Sequence, residues 1–317
     1  MNDSPNNPNN QLIERPLVSI GMPIYNGEKY LRRALDSLLS QQYDNFEIII
    51  SDNGSTDSTA EICKKYASLD PRIKVNVNKL NAGSFINFLI VLKKSSGKYF
   101  MFAADDDFWA PQFLNTVVNE LELHPECAVS QSALERINED GSKCDTIRFF
   151  ENENLNNISQ IKLVFRAVTT ENVCYWIYGL FRTEYIKSIF NEKIPQVFGS
   201  DLIFITHVFM TCRVRYVDKV LLSIQLHKEH TSERYSDENL GKLYGDRFRY
   251  IKMAAQLGPH LSRSSIIPTR NKTWIPILVG KQMIWAITRD FGIFRIPNRL
   301  LIRLKNFFRK YNDSALR

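Results

Sequence analysis

The chain has 317 residues, 44% of them hydrophobic, and a formal net charge of +7. That length and hydrophobic content support a real core, so we expect a globular protein of one large or two small domains. The five cysteines are scattered, odd in number and without a CxxC pair, which argues against a disulfide framework or a zinc site and favours a reducing cytoplasm. No transmembrane segment is predicted, because no run of about 18 apolar residues occurs, and no secretory signal is predicted, because the N-terminus MNDSPNNPNNQ lacks a basic start and an apolar run.

The positive charge lies toward the C-terminal end. Residues 241–317 contain 16 lysines and arginines but three acidic residues, so the rest of the chain carries a net negative charge. We predict three parts: a disordered segment rich in Asn and Pro at 1–15, a folded domain at 16–235, and a basic helical region at 236–317.

Short apolar strands alternate with helices from Pro16 onward. Strands are predicted at 17–26, 45–51, 72–77 and 98–104, and helices at 28–42, from Ser58 onward and at 85–95. The second helix begins with a capping box, since Ser58 is followed three residues later by Glu61. Four strand and helix alternations predict an α/β fold with a doubly wound, mostly parallel sheet.

The second half of the folded domain is less regular. A helix at 111–123 and a strand at 127–137 lead into a polar stretch, 138–172, which we interpret as a loop or mobile lid. The remaining predicted elements are a strand at 173–182, a turn opening a buried helix at 198–210, and strands at 213–232.

Polar residues follow each of the first four predicted strands. Asn26 follows the first strand, Asp52 the second, Asn81 the third, and an aspartate triplet at 105–107 the fourth. In α/β sheets, ligands bind beyond the carboxyl ends of the strands. We therefore expect these polar side chains to converge on one site.

The aspartate triplet carries the strongest chemical signal. Asp105, Asp106 and Asp107 end an apolar run, and like charges this close raise one another's pKa unless a positive charge lies among them. Hard divalent cations such as Mg²⁺ or Mn²⁺ take carboxylate oxygens and complete their shell with substrate phosphates. The triplet therefore predicts a cation site for a phosphorylated substrate. The structural alternative is that Asp107 caps the following helix and the other two are solvated.

Four other residues admit both a functional and a structural interpretation. Asp52 could accept hydrogen bonds from a ligand or shape an Asx turn. Asp201, in the sequence GSD at a helix start, could be a base or an ordinary N-cap. His227 and His230 could be metal ligands, substrate contacts or surface residues.

Several segments together resemble a known family. The stretches VSIGMPIYNGEKYLRRALDSLLSQQYDNFEIIISDNGSTDSTAEI, NAGSFINF and GKYFMFAADDDFWAPQFL resemble, in order and spacing, the nucleotide-sugar-binding half of family 2 glycosyltransferases. The resemblance covers residues 16–120 and, more weakly, 173–232. It implies a Rossmann-like A-type glycosyltransferase fold, a mostly parallel mixed sheet flanked by helices, with a nucleotide-sugar-binding half at 16–126 and an acceptor half at 127–235.

The resemblance implies roles for residues on the nucleotide side of the site. Pro23, Tyr25 and Asn26 are similar to the loop that wraps the nucleotide base, and Asp52 to the carboxylate that holds the base. Asn81 and Gly83 are similar to the two fixed residues of the family's Asn-x-Gly turn, which lies near the nucleotide.

The same resemblance implies roles on the phosphate and acceptor sides. Asp105 and Asp107 match an Asp-x-Asp motif, in which the first faces the ribose or metal and the last binds the metal that bridges the diphosphate. Asp106 then contributes to donor binding, and His227 lies near the diphosphate or metal. Asp201 falls where inverting members place the general base.

The resemblance implies an inverting transfer of a sugar that depends on Mn²⁺ or Mg²⁺. The donor is a nucleotide-diphosphate sugar, a UDP-sugar in our hypothesis. The acceptor is a hydroxyl of a glycan or lipid-linked molecule in surface polysaccharide synthesis. The alternatives are a catalytically silent nucleotide-sugar-binding module and a polyprenyl-phosphate sugar transferase.

This chain departs from the family pattern at three places. Gly-Ser-Asp precedes the helix at Asp201 where Glu-Asp is more common. Ile224 and Gln225 stand where Tyr-Arg is frequent, and Asn87-Phe88 stands where many relatives carry an Arg. The last change leaves one fewer positive charge near the phosphates.

The basic tail suggests where the protein works. Residues 291–311 place apolar side chains roughly along one helical face with Arg and Lys around the remainder, typical of a helix lying in an anionic membrane surface. The alternative is a helix packed on the domain with a solvated basic face. We expect a cytoplasmic protein, peripheral at the inner face of the cell membrane, and no nucleic acid partner, since no recognition motif occurs.

Overall fold

The computed structural model of the chain describes residues 15–149, 158–167, 171–196, 199–227 and 249–290. These residues form two compact units. The first unit takes 15–149, 175–190 and 213–227, and the second takes the other described residues. The domain boundaries proposed from the sequence stay a prediction. His230, the N-terminal segment at 1–14 and the basic helix at 291–311 lie outside the described residues.

The described part of the first unit is built on one nine-stranded sheet. The strands are β1 Val18–Ile24, β2 Phe46–Asp52, β3 Ile73–Val77, β4 Tyr99–Phe102, β5 Phe108–Trp109, β6 Cys127–Ile137, β7 Lys143–Ile147, β8 Leu180–Arg182 and β9 Arg213–Gln225. The helices of the chain are α1 Leu31–Leu39, α2 Thr59–Leu69, α3 Ser84–Lys94, α4 Phe113–Leu123, α5 Gln160–Ala167, α6 Thr183–Asn191, α7 Ser200–Thr211, α8 Arg249–Arg263, α9 Thr269–Lys272 and α10 Ile275–Asp290.

The sheet is parallel where the sequence predicts a parallel sheet, and mixed beyond it. Its order is β3-β2-β1-β4-β8-β6-β9-β5, with β7 paired to β6. The first four strands pair in parallel, so that Val18 lies opposite Phe46 on one side and Tyr99 on the other. β8 then runs antiparallel to both β4 and β6. The predicted α/β fold with a mostly parallel mixed sheet is confirmed.

Burial explains why these segments form these elements. Every residue of β2 and β4 is buried, as expected for central strands covered by helices on both faces. In α1 the buried residues recur at helical spacing, at Leu31, Ala34, Leu35 and Leu38. The amphipathic pattern of α1 therefore places its apolar face against the sheet.

A buried carboxylate ties the amino ends of the strands together. Glu47 of β2 accepts hydrogen bonds from Ser19 Oγ (2.6 Å) and Ser96 Oγ (2.7 Å) through Oε1, and from Lys74 Nζ (2.6 Å) through Oε2. Ser19 Oγ in turn accepts from the Gly97 N–H at 2.8 Å. Because β1, β2, β3 and the entrance to β4 meet at this group, it fixes their alignment at the edge opposite their carboxyl ends.

Residues 173–182 do not form the continuous strand that the sequence predicts. A 3₁₀-helix covers Glu171–Tyr178, and β8 takes only the last three residues of the run. Val173 and Trp176 are fully buried and three residues apart, which matches the repeat of a 3₁₀-helix. A short apolar run fits a strand and a buried helical turn equally well, so its periodicity could not separate them.

The stretch 138–172 is not a structureless loop or lid, because it contains β7 and α5. β7 forms a hairpin with β6 through a tight turn. In that turn the Asn138 N–H donates to the Ser142 carbonyl at 2.8 Å, and Gly141 takes a left-handed φ of 82°. The Asn-Glu-Asp-Gly sequence at this turn was a hairpin signal that the prediction overlooked.

The predicted capping box at the start of α2 is wrong. Ser58 occupies the N-cap position, but its side chain makes no capping hydrogen bond. Its backbone N–H donates to Glu28 Oε2 at 2.9 Å, and the Thr59 N–H donates to Asp57 Oδ1 at 3.0 Å. Carboxylates from outside the Ser58–Glu61 pair therefore satisfy the helix terminus.

The described part of the second unit is helical. As predicted, α7 is a buried helix: every residue from Ile203 to Met210 is buried. Its His207 lies 3.0 Å from both His260 Nε2 and Ser264 Oγ, and burial, followed by the charge of His260, lowers the pKa of His207 to about 3. Among the described residues, no helix combines the length and apolar character needed to cross a membrane.

The Glu47 network predicts a specific acid sensitivity. Although burial alone would raise the pKa of the Glu47 carboxyl, hydrogen bonds from Lys74, Ser19 and Ser96 lower it from 4.5 to about 2. This carboxylate therefore stabilises the fold above about pH 4.5, and the contribution is lost as the pH falls toward 2. In urea denaturation across this range, Glu47→Gln should lose less free energy of unfolding than the wild type, by up to about 3 kcal/mol.

Glu61→Gln, an exposed change on α2, controls for the loss of one carboxylate. If Glu47→Gln and the wild type lose stability in parallel on acidification, the Glu47 network does not hold the strand ends.

Candidate functional site

The carboxyl ends of the parallel strands bring the predicted polar residues to one edge of the sheet. Ile24, near the end of β1, lies opposite Asp52 of β2, which lies opposite Val77 of β3. The loops that begin at Tyr25, Asn53 and Asn78 therefore leave the sheet side by side. The aspartate triplet follows β4, the other neighbour of β1. The predicted convergence is observed.

Asp52 shapes a turn and also leaves one oxygen for a ligand. Its Oδ1 accepts hydrogen bonds from the Ser55 N–H (3.0 Å) and Ser55 Oγ (2.5 Å), which is the Asx-type turn considered from the sequence. Asp52 is fully buried, and its Oδ2 has no hydrogen-bond partner among the described residues. A buried carboxylate oxygen without a donor is costly, so it is suited to accept a hydrogen bond from a bound molecule.

The loop after β1 is held to the loop after β2. The Asn26 N–H donates to Ser55 Oγ at 2.9 Å, and Asn26 Oδ1 accepts from the Thr56 N–H at 2.9 Å. Asn26 has a left-handed φ of 52°, a conformation that Asn tolerates better than most residues. Pro23, inside β1, and Tyr25 are partly buried beside this junction. The predicted base-binding loop after β1 is thus joined by hydrogen bonds to the loop after β2.

A set of asparagine amides connects the loop after β2 to the loop after β3. Asn53 Nδ2 donates to Asn81 Oδ1 at 2.7 Å, and Asn53 Oδ1 accepts from Asn78 Nδ2 at 3.1 Å. Asn81 Oδ1 also accepts from the N–H of Gly83, whose φ is 86°. Asn87, which stands where many relatives carry an Arg, is buried and donates to the Ser51 carbonyl at 2.8 Å.

Sequence reasoning found Asn81 and Gly83 but missed the part played by Asn53 and Asn78. Asn53 directly follows Asp52, and this adjacency was the available signal. The amide network is uncharged, so it orders the loops without adding charge near Asp52.

The aspartate triplet lies in contact with the loop after β1. Asp105 is 5% and Asp107 is 3% exposed, and neither caps a helix, because α4 begins only at Phe113. A Cβ added at Gly27 would lie 2.2 Å from Asp105 Oδ2, so only glycine allows this approach. The sequence analysis missed Gly27, although the Asn-Gly pair after β1 marked a close turn.

His227 reaches the triplet from the end of β9. Its Nε2 lies 2.6 Å from Asp106 Oδ2, its Nδ1 lies 4.0 Å from Glu139 Oε1, and its ring packs against Tyr30 at 5.4 Å between centroids. The structure thus brings His227 to the carboxylates. Its role as a metal ligand stays a prediction.

Asp107 is the most constrained member of the triplet. Its Oδ1 accepts a hydrogen bond from the Gln225 N–H at 3.0 Å. Burial, followed by the negative charge of Asp106, raises the pKa of the Asp107 carboxyl well above its usual range, and the Gln225 N–H and Arg33 oppose that rise in part. Without a bound cation, burial and the neighbouring charge therefore favour the neutral form of Asp107.

The chemistry of this donor set fits a hard divalent cation. Asp105 and Asp107 offer carboxylate oxygens, and an added positive charge would favour their ionised forms. Among the described residues, no group of three or more His, Cys, Asp and Glu side chains is arranged as a metal site. A cation bound with two protein carboxylates takes its remaining ligands from water and substrate phosphates.

Asp201 belongs to the second unit and lies in the first turn of α7. The N-cap is Gly199, with a left-handed φ of 74°, so Asp201 is not the N-cap that the sequence favoured. Its Oδ1 accepts a hydrogen bond from the Leu202 N–H at 2.9 Å, and burial raises the pKa of its carboxyl. A carboxyl with a raised pKa is a stronger base than an exposed one.

The chain is similar in sequence to glycosyltransferases. The family model described as glycosyl transferase family 2 matches residues 19–219. A glycosyltransferase of Haemophilus influenzae is 34% identical over 230 residues, covering 70% of this chain and 69% of that protein. TuaG of Bacillus subtilis, whose name assigns it to teichuronic acid biosynthesis, is 32% identical over 131 residues, covering 41% of this chain and 52% of TuaG. This chain therefore matches little more than half the length of TuaG.

Solved structures share the fold. TarS of S. aureus, in complex with UDP-GlcNAc, has a TM-score of 0.66 at 18% identity, covering 89% of this chain and 77% of that one. The mannosyltransferase PcManGT from Pyrobaculum calidifontis, in complex with GDP-Man and Mn²⁺, has a TM-score of 0.53 at 14% identity, covering 96% and 83%. At these identities the likeness concerns the fold alone, and it confirms the predicted A-type architecture.

The contact between Gly27 and Asp105 can be tested without any ligand. Gly27→Ala should destabilise the protein by about 1–3 kcal/mol, because the new methyl group overlaps the Asp105 carboxylate. In an Asp105→Ala background the same substitution should cost less than half as much. Urea denaturation of the wild type, both single variants and the double variant measures this coupling.

Gly280→Ala is the matched control, since an added Cβ there meets nothing within 4 Å. Equal costs of Gly27→Ala in both backgrounds would show that glycine is needed at this position for some reason other than the carboxylate.

Proposed function

Because this chain belongs to glycosyl transferase family 2, we propose that it transfers a sugar, with inversion and with the help of a divalent cation, from a nucleotide-diphosphate donor to a hydroxyl of a glycan or lipid-linked acceptor. The observation that carries the proposal is the single sheet edge that gathers Asp52, the Asn81–Gly83 turn and the aspartate triplet. These groups offer what a nucleotide sugar requires: Asp52 would recognise a base, and a cation held by the triplet would neutralise a diphosphate.

Asp52 is proposed to hold the nucleotide base. Its buried Oδ2 would accept a hydrogen bond from a base N–H, while Ser55 keeps Oδ1 in place. A UDP-sugar is our candidate donor, and TarS, which shares the fold, was solved with UDP-GlcNAc. PcManGT was solved with GDP-Man, so the fold itself accepts more than one nucleotide.

Asp105 and Asp107 are proposed to hold Mn²⁺ or Mg²⁺, with His227 as a further candidate ligand. These residues would hold a cation whose Lewis acidity would offset the negative charge that develops on a departing nucleoside diphosphate. The Gln225 N–H and Arg33 favour the ionised form of Asp107 that such binding needs. Asp106, paired with His227, is proposed to contribute to donor binding.

Asp201 is proposed as the general base. It would remove the proton of the acceptor hydroxyl as that oxygen attacks the anomeric carbon, and the raised pKa of its carboxyl suits this task. Attack on the face opposite the leaving group inverts the anomeric centre. The proposal for Asp201 rests on its position in the family motif and on this pKa.

The acceptor is proposed to be a growing surface polysaccharide. Similarity to TuaG, whose name assigns it to teichuronic acid biosynthesis, supports this class. A lipid-linked acceptor and attachment to an anionic membrane at the inner face of the cell membrane rest on the basic, amphipathic sequence of residues 291–311.

Donor binding is the first test. In calorimetric titrations with UDP-, GDP-, dTDP- and CMP-sugars, one donor should bind, and Mn²⁺ should tighten its binding. Asp107→Asn should weaken the Mn²⁺-dependent binding at least about tenfold, because a neutral amide is a poor ligand for a hard cation. Asp44→Asn, an exposed change just before β2, is the control.

If a donor binds tightly and Mn²⁺ does not change its affinity, the proposed metal dependence is wrong. If no donor binds with or without the metal, the proposed activity is wrong.

Asp201→Asn separates an enzyme from a silent binding module. We expect this variant to keep the wild-type Kd for the donor and to release nucleoside diphosphate at least about a hundredfold more slowly in the presence of membrane-derived acceptors, since a general base contributes 10²–10⁴ in rate. Ser200→Ala, in the same turn of α7, should retain activity. Unchanged turnover in Asp201→Asn would exclude it as the base, and the absence of turnover in the wild type would favour the binding module.

A further inference from the structure

Gln225, at the end of β9, is a buried side chain whose polar atoms are all engaged. It is 5% exposed. Its Oε1 accepts a hydrogen bond from Arg33 Nη2 at 2.6 Å, and its Nε2 donates to the carbonyls of Leu226 at 3.0 Å and Ile137 at 3.3 Å. One amide group thus joins α1, the end of β6 and the end of β9.

The main chain at this position reaches the aspartate triplet. The Gln225 N–H donates to Asp107 Oδ1 at 3.0 Å, and two residues later His227 Nε2 lies 2.6 Å from Asp106 Oδ2. The end of β9 therefore supplies a partner to two of the three carboxylates. Any shift or rotation of this strand end would displace both partners together.

Arg33 of α1 also contacts the end of β9 and the strand next to it. Its guanidinium lies 4.2 Å from the centroid of Phe108 and 5.5 Å from that of Tyr30. Phe108 directly follows Asp107 and pairs with Ser223 of β9. Although Arg33 lies on the exposed side of α1, its guanidinium thus packs on Phe108, the residue that follows the triplet, while it donates to Gln225.

The amide of Gln225 can satisfy these partners in one orientation only. With Oε1 toward the guanidinium and Nε2 toward the carbonyls of Ile137 and Leu226, each donor meets an acceptor. The flipped amide would set N–H groups against Arg33 and an oxygen against two carbonyl oxygens. Arg33 thereby selects the side-chain orientation that keeps the end of β9 in place.

We propose that Arg33 and Gln225 are positioning residues, which act as one unit to orient the Asp107 carboxylate for the cation and diphosphate of the donor. Neither residue needs to touch the donor, because Arg33 acts through Gln225 and Gln225 acts through its own backbone N–H. This inference rests on the proposed function, since a cation and a diphosphate are what the oriented carboxylate would serve.

The test measures the affinity of Mn²⁺ in the presence of UDP, and of GDP, by electron paramagnetic resonance of the free ion. Arg33→Ala and Gln225→Ala should each weaken Mn²⁺ binding at least about tenfold, the range found when groups that orient metal ligands are removed. The double variant should be no weaker than the weaker single variant, because the two residues form one chain of contacts.

Two surface variants keep the test independent of folding defects at the buried Gln225. Arg32→Ala removes the neighbouring exposed arginine of α1 and should bind Mn²⁺ like the wild type. Arg33→Lys retains an N–H donor for Gln225 and should recover at least half of the affinity lost in Arg33→Ala. Thermal unfolding, followed by circular dichroism, reports stability separately.

The outcomes are distinct. Wild-type affinity in folded Arg33→Ala and Gln225→Ala, with a lowered Tm alone, would make the pair merely structural and overturn the inference while leaving the proposed function intact. Losses that add in the double variant would show that the two residues act separately, which also overturns it. If the wild type binds no Mn²⁺ with either nucleotide, the metal-dependent function fails and the positioning role fails with it.

Discussion

Three adjacent carboxylates at the end of a buried strand impose the constraint around which the first unit is arranged. Burial disfavours a charged carboxylate and like charges repel, so burial first and the charge of Asp106 second raise the pKa of the Asp107 carboxyl. The fold offsets part of the charge with the Gln225 N–H and the side chains of His227 and Arg33. The triplet is held in a defined place by strands β4, β5 and β9.

Hydrogen bonds join the loops that follow β1, β2 and β3 at the same edge of the sheet. Asn26, Ser55 and Asp52 link the first two loops, and Asn53 and Asn81 link the second to the third. Loops joined in this way lose less conformational freedom when a ligand binds, so more of the interaction energy appears as affinity.

Membership of the family and similarity of fold support different conclusions about this protein. The family establishes a glycosyltransferase, and the solved structures establish the fold. TarS and PcManGT share that fold but were solved with different nucleotides, so the fold alone does not identify a nucleotide. The glycine at position 27 and the asparagines at 53 and 87 are the places where this chain's own edge takes its shape.

The sequence by itself determined the features that follow from local patterns of apolar and polar residues. Alternating apolar strands and amphipathic helices predicted the parallel part of the sheet, and the strand-end rule gathered Asn26, Asp52, Asn81 and the triplet at one edge, as observed. Local signals failed where two structures suit one pattern. The run at 173–182 fits a strand or a 3₁₀-helix. Ser58 occupies the N-cap position of α2 without making a capping hydrogen bond, and Gly199 takes the N-cap position that Asp201 resembles.

Only the tertiary structure decided the contacts between distant parts of the chain. Arg33 and Gln225 are 192 positions apart, and Gln225 and Asp107 are 118 apart, so no local pattern could pair them. The close approach of Gly27 to Asp105 likewise exists because β1 and β4 are neighbours in the sheet. Periodicity records which face of an element is buried, whereas the partners of a polar group are chosen by how whole elements pack, which requires the folded chain.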